Sequence, residues 1–253
     1  PLIFVEATMS YTINTHLIQK YDRPGPRYTS YPTAPMFDAG VGEDQFIQAI
    51  NDGNQQDSQL SLYVHIPFCY RLCWYCGCNM QVSRNLDRME NHYKLLSREI
   101  RKRARDLSPQ RQVQQVHLGG GSPNYMQPSL LADLLWTIRE NFNISPTAEF
   151  SFEVDPRLLT MPHLQVLRTA GVNRVSMGVQ DFDARVQKAV NRVQPYGEVA
   201  GWISRLRESG IPSVNLDLMY GLPHQNPDSF HATLEKTIHL APERIALFNF
   251  AWL

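Results

Sequence analysis

The chain has 253 residues, of which 43% are hydrophobic and 19% are charged, and its 24 basic side chains are balanced by 24 acidic ones. This length and apolar fraction suit one globular domain with a small extension. The zero net charge favours neither nucleic acid nor a membrane surface as a partner, and no apolar run reaches the roughly 18 residues of a transmembrane helix.

The first 58 residues are expected to form an N-terminal arm and a short helix. We expect Met9 to be the natural start and residues Pro1–Thr8 to lie upstream of it. Prolines and a glycine in Arg23–Pro32 exclude a helix interior there and predict an extended arm. A short helix is predicted over Glu43–Asn51.

From residue 59 onward, short apolar runs alternate with helical stretches. The predicted strands are Leu60–Ile66, Val113–Leu118, Glu149–Val154, Arg174–Gly178, Ser213–Leu218 and Ile245–Phe250. The predicted helices are Leu86–Asp106, Pro128–Asn141, Met161–Ala170, Asp183–Val190, Gly197–Ser209 and Pro227–Leu240. This alternation predicts an α/β fold of βαβ units over residues 59–253, and both an open doubly wound sheet and a partial barrel fit the count.

All four cysteines lie within ten residues: Cys69, Cys73, Cys76 and Cys78. Thiolates this close can converge on a soft metal centre, whereas disulfides between them would close only very small loops. Zinc sites usually take two ligands from each of two separated segments, and here only His65 could add a ligand, so an iron–sulfur cluster fits one loop better. Free thiols also indicate a reducing compartment, so we expect a cytoplasmic protein.

The C-x3-C-x2-C spacing, with Tyr75 directly before the third cysteine, resembles that of radical S-adenosylmethionine (SAM) enzymes. The resemblance implies that Cys69, Cys73 and Cys76 hold a 4Fe-4S cluster whose open iron is chelated by SAM. In that family the cluster donates an electron and SAM splits into methionine and a 5′-deoxyadenosyl radical. It also implies a curved (β/α)6 partial barrel in which the cysteine loop follows the first strand.

Glycines or polar side chains stand at the predicted strand ends, where the working residues of parallel α/β folds gather. They are Gly119–Ser122, Glu153, Gln180, Asp217 and, near the last strand, Asn249. Structural alternatives stay open: the glycines could form a flexible turn, and Glu153 could be paired with an arginine. Arg192, at the end of the helix after the fourth strand, could equally be a helix-end charge or bind a carboxylate.

Longer stretches resemble the family of oxygen-independent coproporphyrinogen III oxidases (dehydrogenases). The stretches are Gly25–Thr33, Leu62–Cys69, Cys76–Asn79, Glu153–Pro156, Ser176–Phe182 and Leu218–Pro223. The resemblance implies SAM-driven oxidative decarboxylation of two propionates of coproporphyrinogen III to vinyl groups, which yields protoporphyrinogen IX. It implies that two SAM molecules share one site, that Cys78 is typical of the family without being an iron ligand, and that one set of residues contacts SAM. That set is Tyr63, Tyr75, Gly120, Gly121, Ser122, Glu153, Gln180, Arg192, Asp217 and Ala251.

The substrate has four carboxylates, and Arg27 in the arm is our candidate to bind them. We further expect a flavodoxin- or ferredoxin-like electron donor and a monomeric enzyme. Family enzymes are longer and have a C-terminal domain over the barrel mouth, which this sequence is expected to lack after Leu253. Two alternatives stay open: a haem chaperone of the sister family, and an inactive fragment that binds only a metal cluster and SAM.

Overall fold

The structure is a computed structural model that describes residues 14–22 and 36–251. Its helices are α1 (Thr15–Tyr21), α2 (Glu43–Gln55), α3 (Leu86–Asp106), α4 (Pro128–Asn141), α5 (Met161–Thr169), α6 (Ala184–Ala189), α7 (Tyr196–Glu208) and α8 (Pro227–His239). Its strands are β1 (Leu60–Ile66), β2 (Phe68–Cys69), β3 (Gln81–Val82), β4 (Val113–Gly120), β5 (Ile144–Val154), β6 (Arg174–Gln180), β7 (Ser213–Tyr220) and β8 (Arg244–Asn249).

Six strands form one parallel sheet in the order β1-β4-β5-β6-β7-β8, and β2 and β3 form a separate two-stranded pair. The predicted α/β fold with six parallel strands is therefore confirmed. A doubly wound sheet reverses its strand order at a switch point. Here the order in the sheet follows the order along the chain, as in a partial barrel.

The two faces of this sheet differ in polarity because side chains alternate along each strand. The apolar face is buried under the helices and includes Val116, Leu118, Phe150, Phe152 and Leu216. The opposite face is polar and includes His117, Ser151, Glu153, Ser176 and Asp217. The apolar face stabilises the fold through burial, and the polar face is free to hold chemically active groups.

Several strands extend further than predicted at their carboxyl ends. β4 continues through Gly120, which pairs with Ile66, and β6 and β7 continue to Gln180 and Tyr220. The hydrogen-bonded ladder therefore includes residues that the sequence placed in loops. A ladder position holds a side chain more rigidly than a loop does.

The sequence missed α1 and the β2–β3 pair, because these elements are too short for a periodic signal.

The chain divides between Ile47 and Gln48 into two compact units, with α1 in the first and the sheet in the second. The predicted boundary after residue 58 stays a prediction, and the predicted arm lies outside the described residues. Within the described part of the chain, no helix is long and apolar enough to cross a membrane.

Candidate active site

The cysteine loop begins directly beyond the carboxyl end of β1. The pairing of β2 with β3 closes its base, where the Ser83 N–H donates to the Cys69 carbonyl at 3.1 Å. Cys69 and Cys73 are buried, Cys76 is half-buried and Cys78 is exposed. The loop thus directs its first two thiols inward, towards the end of the sheet.

A cavity of about 140 Å³ lies where the loop meets the strand ends. All four cysteines line it, together with eight of the ten residues predicted to contact SAM. Those eight are Tyr75, Gly120, Gly121, Ser122, Glu153, Gln180, Arg192 and Asp217. Groups far apart in the sequence therefore meet in one place, because the carboxyl ends of parallel strands share one edge.

Two arginines donate to the sulfur of Cys73. The Arg192 Nη1 lies 3.5 Å and the Arg157 Nη2 lies 3.7 Å from the Sγ atom. A hydrogen bond from Cys78 lowers the pKa of Cys76 to about 6, although burial opposes this shift. The lowered pKa of Cys76 favours its thiolate, the form that binds metal.

The pKa of Cys69 shifts in the opposite direction to that of Cys76. Burial raises its pKa, and the hydroxyl of Ser122, which donates to its sulfur at 3.7 Å, partly offsets this shift. Metal binding at Cys69 would release a proton.

No three His, Cys, Asp or Glu side chains of the described residues converge as they would on a single metal ion. A four-iron cluster needs only one sulfur on each of three irons, so three thiols around a common cavity fit it.

Asp155 and two arginines form a buried ion-pair network below the loop. The Asp155 Oδ2 lies 2.6 Å from the Arg157 Nη2 and 3.5 Å from the Arg192 Nη1. Burial acts to raise the pKa of Asp155, but Arg192 and Arg157 together hold it below its usual range. Arg192 also donates through Nε and Nη2 to the Gly178 carbonyl, at 3.0 and 2.7 Å. Its position is therefore fixed by contacts beyond the end of α6, and its contact with SAM stays a prediction.

The glycine segment after β4 packs directly against the cysteine loop. A Cβ atom on Gly121 would lie 2.6 Å from the Phe68 carbonyl oxygen, so only glycine allows this approach. The Gly121 N–H donates to Ile66 and the Ser122 N–H donates to Phe68. These N–H groups thus hold the loop against the sheet.

Glu153 lies on the polar face of β5. Its Oε1 is 3.0 Å from the His117 Nε2, and its Oε2 accepts from the Gly120 N–H at 3.2 Å. Among the described residues the side-chain partner of this carboxylate is a histidine, and not the arginine that the sequence offered as an alternative. His117 was not singled out in the sequence, although its alternation along β4 places it on the polar face.

Asp217 forms a second polar group at the end of β7. The Asn215 Nδ2 donates to its Oδ1 at 2.7 Å, and the Ser176 hydroxyl lies 3.4 Å from both carboxylate oxygens. Burial, supported by the nearby charge of Glu153, raises the pKa of Asp217 to about 6. This carboxyl can therefore exchange a proton close to neutral pH.

Gln180 ends β6 in a left-handed conformation with φ of 67°. Its side chain is buried and lines the cavity, and its Oε1 has no hydrogen-bond partner among residues 14–22 and 36–251. An unpaired buried acceptor costs about 1–3 kcal/mol, and strained backbone of this kind is common at functional sites. A ligand that donates a hydrogen bond to this oxygen would account for both the unpaired acceptor and the strained backbone.

Two predicted SAM contacts lie outside the cavity lining. Tyr63 is exposed, stacks on His117 with ring centroids 5.7 Å apart, and its hydroxyl lies 3.0 Å from the His65 Nδ1. Ala251 is exposed at the end of the described chain. Their roles stay predictions, as does that of Arg27, which lies outside the described residues.

The sequence also missed Arg157 and Asn124. Arg157 directly follows the stretch Glu153–Pro156 at the end of a predicted strand, so its place in the sequence was a usable signal. Asn124 exchanges two hydrogen bonds of 2.8 Å with the backbone of Asp155. No sequence pattern marks that contact, since 31 residues separate the partners.

Comparison with known proteins gives matches over most of the chain. The family model described as "Radical SAM superfamily" matches residues 63–237. The oxygen-independent coproporphyrinogen III oxidase of Escherichia coli K12 is 46% identical over 237 residues, which are 94% of this chain and 51% of that protein. The protein of the same name from Pseudomonas aeruginosa is 44% identical over 94% of this chain and 52% of its own length.

The solved structure of the E. coli coproporphyrinogen III oxidase, titled a radical SAM enzyme, superimposes with a TM-score of 0.86. Its sequence identity is 43%, over 94% of this chain and 53% of that chain. Streptococcus suis SuiB, solved with SAM bound, is 14% identical with a TM-score of 0.53, which indicates a shared fold alone. The chain spans about half the length of the curated relatives it matches.

Proposed function

This chain belongs to the radical SAM superfamily, and from that premise we propose that it is the SAM-binding part of an oxygen-independent coproporphyrinogen III oxidase. Membership implies a 4Fe-4S cluster and SAM as cofactors. The proposed reaction converts two propionates of coproporphyrinogen III to vinyl groups and yields protoporphyrinogen IX. The names of the relatives support this substrate.

We assign the three cluster ligands to Cys69, Cys73 and Cys76. Cys69 and Cys73 are buried beside hydrogen-bond donors, and Cys76 has a lowered pKa. Cys78 is exposed and supports its neighbour by donating to Cys76. When bound, the cluster and SAM would supply the one-electron chemistry that removes a hydrogen atom from each propionate.

The strand-end groups are suited to hold SAM. Gln180 offers an unpaired acceptor, and the carboxylates of Glu153 and Asp217 are acceptors for the amine and ribose hydroxyls. Arg192 already donates to Asp155, Cys73 and Gly178, so it mainly fixes the charge beside the cluster site. Tyr63, Tyr75, Gly120, Gly121, Ser122 and Ala251 complete the proposed set.

The finer assignments follow from the family resemblance. We propose that two SAM molecules share the site, that Arg27 meets the carboxylates of the porphyrinogen, and that the enzyme acts as a monomer. For each vinyl group formed, one hydrogen atom would pass to the 5′-deoxyadenosyl group of SAM, one carbon dioxide would leave, and one electron would pass to an external one-electron acceptor. The charge at the strand ends is close to balanced, because three arginines and three carboxyl groups line the same cavity: Arg71, Arg157, Arg192, Glu153, Asp155 and Asp217.

The observation that supports this proposal most directly is the common cavity of the cysteine thiols and the strand-end acceptors. The test is an anaerobic assay of the reconstituted chain with coproporphyrinogen III, SAM and a reductant. We expect 5′-deoxyadenosine and protoporphyrinogen IX, with about one carbon dioxide for each 5′-deoxyadenosine. A brown protein that absorbs near 400 nm after reconstitution would verify the iron–sulfur centre.

The two products separate the alternatives. Formation of 5′-deoxyadenosine without protoporphyrinogen would refute the oxidase activity for this chain and point to a haem chaperone or to a fragment that binds SAM. Bound zinc without iron would refute the cluster assignment. A Gln180→Ala variant should bind SAM less tightly while its iron content stays the same, since Gln180 does not contact a cysteine sulfur.

A further inference from the structure

Cys69 and Cys73, the two buried thiols of the proposed cluster site, accept hydrogen bonds of different kinds. The sulfur of Cys69 accepts from the neutral hydroxyl of Ser122 at 3.7 Å. The sulfur of Cys73 accepts from two cations, from the Arg192 Nη1 at 3.5 Å and from the Arg157 Nη2 at 3.7 Å. Hydrogen bonds to the sulfurs and net charge are two of the factors that set the reduction potential of an iron–sulfur cluster. Cys73 is therefore the buried thiol through which nearby charge can act on that potential.

Arg157 is held by contacts from each nitrogen of its guanidinium group. Nε and Nη2 donate to the Asp155 carboxylate at 2.9 and 2.6 Å, and Nη2 also donates to the sulfur of Cys73. Nη1 donates to the carbonyl of Asn191 at 3.4 Å. A bidentate contact between a guanidinium and a carboxylate fixes the plane of the guanidinium. The fold therefore sets the direction in which Arg157 points its remaining N–H at the sulfur.

The ion-pair network at the Cys73 sulfur has more positive than negative groups. The Asp155 Oδ2 lies 2.6 Å from the Arg157 Nη2 and 3.5 Å from the Arg192 Nη1. Neither arginine forms an ion pair with another carboxylate among residues 14–22 and 36–251. A guanidinium is always protonated in proteins. Two cations thus share one carboxylate at the sulfur of a proposed cluster ligand.

We propose that Arg157 raises the reduction potential of the cluster by donating a charged hydrogen bond to the ligand sulfur of Cys73. This inference rests on the proposed function, because only a redox cluster has a potential to adjust. Reduction adds one electron to the cluster, and a nearby cation stabilises the added negative charge. The electron comes from an external one-electron reductant, and no covalent bond to the protein forms or breaks.

Arg157 is better suited than Arg192 to a test of this effect. The side chain of Arg157 is 21% exposed, whereas that of Arg192 is 9% exposed. Arg192 also donates through two nitrogens to the carbonyl of Gly178, so its removal would disturb β6. Replacement of Arg157 leaves Asp155 paired with Arg192, and so it does not leave a buried charge without a partner.

The test measures the midpoint potential of the reconstituted chain in the absence of SAM. Dithionite is the reductant, viologen dyes are the mediators, and loss of the visible absorbance of the cluster is the readout. Arg157→Gln and Arg157→Met remove the charge, whereas Arg157→Lys retains it. Arg185→Gln is the matched control, because Arg185 pairs with Asp183 two residues before it, as Arg157 pairs with Asp155, but lies outside the cavity lining. Bound iron is measured in every variant.

We expect both neutral variants to lower the equilibrium constant for cluster reduction about 10-fold, which is about 59 mV for a one-electron couple. Arg157→Lys should stay close to the unmodified chain, because it keeps a cation beside Asp155. Arg185→Gln should leave the potential unchanged. The iron content should be the same in all variants, since none of them removes a cysteine.

An unchanged potential in Arg157→Gln and Arg157→Met would overturn this inference, as would an equal fall in Arg185→Gln. A fall in Arg157→Lys as large as that in Arg157→Gln would also overturn it, because the charge would then not be the cause. Loss of iron from both neutral variants would overturn it in favour of a purely structural ion pair.

Failure of the proposed function has a different signature. An unmodified chain that binds zinc in place of iron would contradict the proposed function, and this inference with it. A chain that holds a reducible cluster but forms no protoporphyrinogen would contradict only the oxidase activity. The potentials of the Arg157 variants would still decide the inference in that case.

Discussion

Replacement of Asp217 by Asn should stabilise the protein at neutral pH but much less in acid. Burial and Glu153 raise the pKa of Asp217 from 3.8 to about 6. The folded state thus binds the proton of the Asp217 carboxyl more tightly than the unfolded state does. The stability that the protonated carboxyl contributes is therefore complete below pH 3.8 and is lost as the pH rises through about 6. One pKa unit corresponds to about 1.4 kcal/mol, so the ionised carboxylate costs about 3 kcal/mol.

Asn removes this charge and keeps the shape of the side chain. It can still accept from Asn215 and can donate to the Ser176 hydroxyl. The assay is urea unfolding of the cofactor-free chain, followed by circular dichroism, at about pH 4.5 and about pH 7.5. The stability of Asp217→Asn relative to the unmodified chain should increase by about 2 kcal/mol between these two pH values.

Asp183→Asn is the control, because the pKa of Asp183 is shifted in the opposite direction to that of Asp217. Asp183 caps α6, and a hydrogen bond from Arg185 is the largest cause of its lowered pKa, so its contribution is lost as pH falls. Asn caps helices as well as Asp does. If the stability difference for Asp217→Asn is the same at both pH values, the argument that burial raises the pKa of this carboxyl is refuted.

Three other substitutions test the construction of the site. Gly121→Ala would place a Cβ atom 2.6 Å from the Phe68 carbonyl oxygen, so we expect about 1–3 kcal/mol less stability and less bound iron after reconstitution. Asp155→Asn leaves two arginines without their carboxylate and should reduce the free energy of unfolding by about 3–5 kcal/mol in chemical denaturation. Cys78→Ser should retain the iron content of the unmodified chain in a colorimetric assay, whereas Cys76→Ser should lower it.

Each of these has a matched control and a contradicting result. Gly77→Ala lies in the same loop with no atom within 4 Å of the added carbon, and equal loss of iron in both glycine variants would argue against the close approach. Asp57→Asn changes an exposed carboxylate at a positive φ that Asn also adopts, and should be neutral. A greater loss of iron in Cys78→Ser than in Cys76→Ser would contradict the ligand assignment.

The sequence alone determined the fold class and the centre of the site. The alternation of apolar runs and helical stretches predicted the parallel α/β sheet, because backbone hydrogen bonding and burial impose these periods locally. The spacing of Cys69, Cys73 and Cys76 indicated a metal centre, since neighbouring residues in one loop must lie close together. Both signals are short in range and can be read without knowledge of the rest of the chain.

Only the tertiary structure decided how distant groups meet. It placed His117 beside Glu153 and joined Asp155 to Arg157 and Arg192. It also left the Oε1 of Gln180 without a partner in the part of the chain that the structure describes. It also separated the inward thiol of Cys73 from the outward side chains around it. These facts depend on the register between strands and on burial, which arise when remote segments pack, and no local pattern in the sequence specifies them.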